Sequence, residues 1–390
     1  MSSTRVSGPR VNGFLPALEG MRGLASVAVV VTHVAFQTGA VHESALGRVW
    51  GRLDLAVALF FALSGFLLWR PHAAEARGVG PRPSARRYLV SRATRILPAY
   101  WIAVILVLWL LPGAGGGATV WWANLTFTQV FVPLTLTEGL TQMWSLSVEV
   151  AFYAALPLMA LAVCRLRGPA ARIRIPLLLG VSVLSLLWVW LPIPTPEHIN
   201  HENWLPGYLP WFAAGIVLAE LVTGPRTWVH RIAERRYLML GIAAVTFGLA
   251  TTPLAGPKTL TDLEPWEYSN KIVLGAIMSF ALLAPLVLAP REHHGFLASA
   301  PALAVGRWSY GLFIWHLAVM AIIFPVFGIA PFQGHFWPVL AVTFVLSVAI
   351  ASASYALVEV PAREAFQRWD RSRKGRAASP TATSPTSAAS

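Results

Sequence analysis

The chain has 390 residues, 56% of them hydrophobic and only 12% charged. That is about half the charge density of a soluble domain, so a water-soluble globular protein is excluded and a membrane-embedded chain expected. A net charge of +13 would suit nucleic acid, but the basic residues sit between apolar runs rather than along one polar face. No nucleic-acid partner is therefore expected, and the charge reads as membrane topology. The single cysteine, Cys164, excludes an internal disulfide framework and argues against thiolate metal sites.

In chain order, the opening stretch MSSTRVSGPRVNGFLPALEGMRG does not read as a cleavable signal. Its basic part is long, and the first apolar run exceeds an h-region. Apolar runs long enough to span follow at about 24–42, 55–69, 97–112, 143–163, 176–192, 205–222, 237–254, 271–289, 308–327 and 336–357. With the N-terminus inside, cytoplasmic segments hold 26 of the 30 Lys and Arg, leaving Arg48, Arg52, Lys258 and Lys271 outside. That asymmetry predicts an even number of spans. The fold class is an all-α polytopic integral membrane protein of about ten transmembrane helices, with both termini cytoplasmic. Residues 1–13 form a tail, 14–365 the transmembrane domain, and 366–390 a disordered cytoplasmic tail, basic and then Ser/Pro/Thr-rich. The aromatic stretch 118–136, interrupted by Pro133, reads as interfacial or re-entrant, and the outer loops 192–204 and 255–270 are short and mildly acidic.

A few polar residues stand out against this background. His33 lies near the middle of the first run, where a titratable imidazole is costly and marks a functional site by default. Arg22 precedes it by eleven positions, close to three helical turns, so the two share a face about 16 Å apart. Arg22 reads equally as a snorkelling anchor. Ser64 and Gly65 in the second run allow close helix approach. Arg92 and Arg95, at i and i+3 in the most basic loop, suit bidentate phosphate binding or contact with anionic lipid. Glu149 stands inside the fourth run, where a carboxyl group needs a partner or a proton. His33 is the candidate partner, in a base-and-orienter pair.

The remaining candidates read as structural. Glu220 sits at the end of the sixth run as an interfacial carboxylate, His316 lies inside the ninth, and Glu359 closes the tenth. His198 and His201 lack a ligand spacing, so no metal is expected. The sequence holds no phosphate-binding P-loop, G-x-S-x-G elbow or dinucleotide fingerprint. An ATP-driven pump and an ordinary serine hydrolase are therefore disfavoured.

Taken in order, LEGMRGLASVAVVVTH, LFFALSGFLL, SRATRILPAYW, MWSLSVEVAFY, SYGLFIWH and the closing EVP resemble the membrane acyltransferase 3 family of bacterial integral-membrane O-acyltransferases. The likeness runs from about residue 14 to 365. It implies transfer of an acyl group, commonly acetyl, from acyl-CoA on the cytoplasmic side to a hydroxyl of a glycan, lipid-linked saccharide or secondary metabolite. Donor and acceptor are substrates, and no tightly bound cofactor is implied. Carried over by motif, His33 is the catalytic base, with Arg22 in the same motif and Glu149 as a further catalytic group. Arg92 and Arg95 face the CoA phosphates, with Ser64 and Gly65 beside the acyl-CoA. The resemblance is to the form without an appended extracytoplasmic esterase-like domain, in the bacterial cytoplasmic membrane. A proton-coupled secondary transporter is the alternative.

Overall fold

The computed structural model describes residues 13–257, 263–290 and 294–378, and among these every regular element is helical. Arg5, Arg10, Lys258, Arg291 and the tail beyond Ala378 lie outside the described residues. The principal helices are α1 (Pro16–Gln37), α2 (Ala56–Ala76), α3 (Ala85–Leu110), α4 (Ala118–Leu125), α5 (Trp144–Val163) and α6 (Arg174–Ser185). They continue with α7 (Leu205–Thr223), α8 (Arg236–Ala250), α9 (Pro265–Val287), α10 (Ala300–Val326), α11 (Phe336–Ser354) and α12 (Val360–Ala378). Local chemistry sets several starts. Pro16 opens α1, Ser84 caps α3 by accepting from the Arg87 N–H, and Ser299 caps α10 by accepting from that of Ala302.

Nine helical stretches among the described residues are long and apolar enough to cross a bilayer. The sequence reading expects about ten, and the difference is α8. Its 15 residues span about 22 Å, short of a hydrocarbon core of about 30 Å, and it packs along α9. Segment 118–136 does not span: α4 ends at Leu125, and irregular chain follows. At the other end, α12 runs on to Ala378, through residues expected in a disordered tail. It packs back on α3, where Arg87 pairs with Asp370 at 2.9 Å.

Two helix pairs organise the bundle, and each depends on reciprocal glycines. A side chain on Gly65 of α2 would strike the Phe212 carbonyl of α7, and one on Gly215 would strike that of Ala62. Likewise Gly23 of α1 sits against the backbone of Gly306 in α10, where a Cβ would meet the Glu19 carbonyl. Small residues let backbones approach closely, which is how helices gain packing energy where lipid removes the hydrophobic drive.

The α2–α7 pair carries a buried ion cluster. Glu220 is fully buried, not interfacial as its position at a span end suggests. It accepts from Trp69 Nε1 at 2.9 Å, Arg77 Nη2 at 2.9 Å and Arg174 Nη1 at 3.2 Å. Arg174 is itself fully buried and donates further to the carbonyls of Leu166 and Ala76. Two guanidiniums share the one carboxylate, and the cluster pins α2, α6 and α7 together.

Candidate active site

Three cavities follow one another through the bundle. The first is a vestibule of about 540 Å³ lined by Arg22, Arg70, Arg95, Arg307 and Arg363, with Glu19 and Glu359. Its far wall is built by a π-helical turn, Tyr355–Glu359, joining α11 to α12. Such a turn shifts the helical register and often marks a functional site; Glu359 at its end pairs with Arg363, one helical turn on, at 3.1 Å. Arg22 and Arg95 also line the second cavity, a waist of about 90 Å³ with Ser64, Arg92, Glu149 and Tyr153 on its walls.

The arginines here differ from those of the Glu220 cluster. Arg92, Arg95 and Arg307 form no ion pair with any described carboxylate. Five-donor guanidiniums facing a cavity without a carboxylate partner make an anion site, and their planar forks match phosphate oxygens. Arg22 is tied down instead, donating to both Glu19 oxygens at 3.2 and 3.3 Å and to Ser309 Oγ of α10 at 2.9 Å. Glu149 accepts from Ser64 Oγ and from Tyr153 Oη at 2.6 Å.

The third cavity, about 310 Å³, lies toward the end of α1 opposite Arg22. It is lined by His33, Asp54, Lys271 and Asn203, with Trp144, Tyr208 and Trp211 as aromatic walls. Asp54 and Lys271 pair at 2.6 Å, and the second Asp54 oxygen is buried without a described partner. Val57 lines both this cavity and the waist, so the two meet at one side chain of α2. His33 donates from Nδ1 to the Val29 carbonyl at 2.9 Å. Its ring contacts that of His316, with centroids 4.9 Å apart.

The residues singled out from sequence therefore fall into two groups. Arg22, Ser64, Arg92, Arg95 and Glu149 share the waist, whereas His33 faces the third cavity. Gly65 faces α7 and lines neither. The expected His33–Glu149 pair is not formed, because α1 packs on α10 while Glu149 turns toward α2 and its own Tyr153. His316 and Glu359, read as structural, border the site: one bonds His33 and the other lines the vestibule. Asp54, Lys271, Arg307 and Arg363 carry no local signal. An aspartate at a span end and arginines in basic loops look like ordinary topology until the fold gathers them.

The fold and cavities define a class: a multi-pass helical membrane protein with an arginine-lined anion cavity meeting a histidine-bearing one inside the bundle. The family described as "Acyltransferase domain" matches residues 15–356, and the chain belongs to this membrane acyltransferase 3 family. It is similar to the peptidoglycan O-acetyltransferase OatA of Listeria monocytogenes, 21% identical over 90% of this chain and 56% of the relative. It is also similar to the acyltransferase MdmB of Streptomyces mycarofaciens, 29% identical over 78% of this chain and 79% of the relative. The chain thus spans little more than half the length of the Listeria protein. No solved structure matches it.

Proposed function

We propose that this protein is an O-acyltransferase that moves an acyl group, acetyl in the simplest case, from acyl-CoA to a hydroxyl of a carbohydrate or glycosylated acceptor. The observation that carries this reading is the meeting of the arginine-lined waist and the His33 cavity at Val57. CoA phosphates dock on Arg92 and Arg95 with the vestibule arginines, and the slender pantetheine arm enters the waist past Ser64 and Glu149. The acceptor occupies the third cavity, where Trp144, Tyr208 and Trp211 offer faces for a sugar ring and Asp54 and Asn203 offer hydrogen-bond partners.

His33 removes the acceptor hydroxyl proton as that oxygen attacks the thioester carbonyl carbon. The carbon–sulfur bond breaks, and the leaving thiolate takes the proton from the imidazolium. Ester and CoA thiol are the products, and His33 returns to its neutral form. Arg22 and Glu149 act from the waist by holding the donor in register, not by pairing with His33. The basic end faces the cytoplasm with both termini, following the distribution of Lys and Arg, and the protein resides in a bacterial cytoplasmic membrane. The family match favours group transfer over the carrier alternative.

The test uses the full chain in nanodiscs with labelled acetyl-CoA and a panel of oligosaccharides and glycosylated small molecules. Covalent labelling of an acceptor is expected, falling about 10²–10⁴-fold in His33→Gln, the worth of a general base. Full labelling by His33→Gln would remove the histidine from the chemistry. Uptake of label into proteoliposomes without covalent transfer would establish the carrier instead.

A further inference from the structure

The histidine pair fixes where its protons lie. In α10, Nδ1 of His316 is 2.8 Å from the Phe313 carbonyl and 3.1 Å from that of Leu312. Carbonyl oxygens only accept, so His316 Nδ1 carries a hydrogen, and in the neutral ring Nε2 is then a lone-pair acceptor. That Nε2 lies 3.0 Å from Nδ1 of His33. The same His33 nitrogen is 2.9 Å from the Val29 carbonyl, so it too carries a hydrogen, which His316 Nε2 and Val29 accept jointly. The remaining nitrogen of His33, Nε2, then holds its lone pair and bonds to no described group, on a residue that lines the third cavity.

We propose that His316 is a positioning residue for acyl transfer: it holds His33 in the tautomer whose Nε2 is the base. The opposite wiring would set the His33 Nδ1 lone pair against a carbonyl oxygen. It would also require His316 to be doubly protonated where it is fully buried and bonded to no described carboxylate. A carboxylate is the common orienter of a catalytic histidine, but a permanent charge inside a bilayer is costly. A neutral imidazole supplies the same acceptor without that charge. When His33 takes the acceptor's proton, its Nδ1–H becomes a charge-assisted donor to His316 Nε2, so the bond strengthens as the transition state is reached. The close approach of Gly23 to Gly306 sets the register that makes this contact, and seven residues before His316, Ser309 holds Arg22.

This inference rests on His33 being the base, and its test separates the two claims. In full-length protein labelled with ¹⁵N-histidine in nanodiscs, the difference spectrum against His33→Gln reports the His33 nitrogens without any turnover. Protonated Nδ1 and bare Nε2 are expected; the reverse pattern overturns the assignment whatever the activity. Kinetics then address the role, following CoA thiol release with acetyl-CoA and a labelled oligosaccharide acceptor. His316→Leu, which fills the space without an acceptor, is expected to lower kcat on the order of 10²-fold, the scale of a general-base contribution, with the KM for acetyl-CoA unchanged. His316→Gln puts an amide oxygen near the lost Nε2 and is expected to recover most of that loss. Wild-type kcat in a folded His316→Leu variant, or equal loss in folded Leu and Gln variants, would reduce His316 to packing.

Discussion

Two groups of arginines in this protein have the same chemistry and opposite situations. Around Glu220, Arg77 and Arg174 are met by a carboxylate, and Arg174 is also met by backbone carbonyls. Around the waist, Arg92 and Arg95 have no carboxylate partner, and they face open space. A buried charge that is paired belongs to the scaffold, because removing its partner leaves an unpaired ion. A charge without an ion pair beside a cavity is, on the function proposed above, open to a ligand. By this criterion the two groups divide into structure and site although both lie in the most basic parts of the sequence.

The largest effect should come from breaking the scaffold group. Glu220→Ala leaves Arg174 buried without its carboxylate, and a loss of about 3–5 kcal/mol is expected, read as a lowered melting temperature in detergent. An unchanged melting temperature would erase the distinction. Arg92→Ala and Arg95→Ala should behave in the opposite way. Folding is retained, while loss of a charge-assisted hydrogen bond worth about 1.5–3 kcal/mol weakens acyl-CoA binding on the order of 10–100-fold. Arg92→Lys should recover only part, since an ammonium cannot fork around a phosphate. Destabilisation equal to that of Glu220→Ala would place these arginines in the scaffold instead.

The smallest effect is a reporter. Burial pushes the Cys164 thiol up to about 11, and its electrostatic neighbours include Glu220 and Arg174. Because only the thiolate reacts, maleimide labelling of the intact protein should be slow near neutral pH and rise steeply as the pH increases. In Glu220→Ala, labelling should quicken as the cluster opens. Fast labelling of the unsubstituted protein at neutral pH would show that the cluster does not seal this corner.

Much of the site is legible in the sequence because polar residues are conspicuous in an apolar run. His33 and Glu149 stand out without a partner, since the cost of placing each in lipid is local. The spacing of Arg92 and Arg95 likewise puts both on one helical face, and both line the waist. Gly65 shows the limit of such reading: its neighbour Ser64 points into the cavity, while Gly65 itself turns toward α7. One residue along a helix rotates the side chain by about 100°, and only packing says which face is which.

The sequence by itself determined that this chain crosses a membrane many times and which rare polar groups it carries into the bilayer. Those properties follow from transfer free energies, which sum residue by residue along the chain. Partner choice was decided by the tertiary structure. The imidazole that meets His33 stands 283 positions away, brought there by glycines that let α1 and α10 touch. Glu149, nearer in sequence, was drawn to Ser64 and Tyr153. Hydrogen-bond distances of about 3 Å depend on helix register, and register is a property of the packed bundle that no single span encodes.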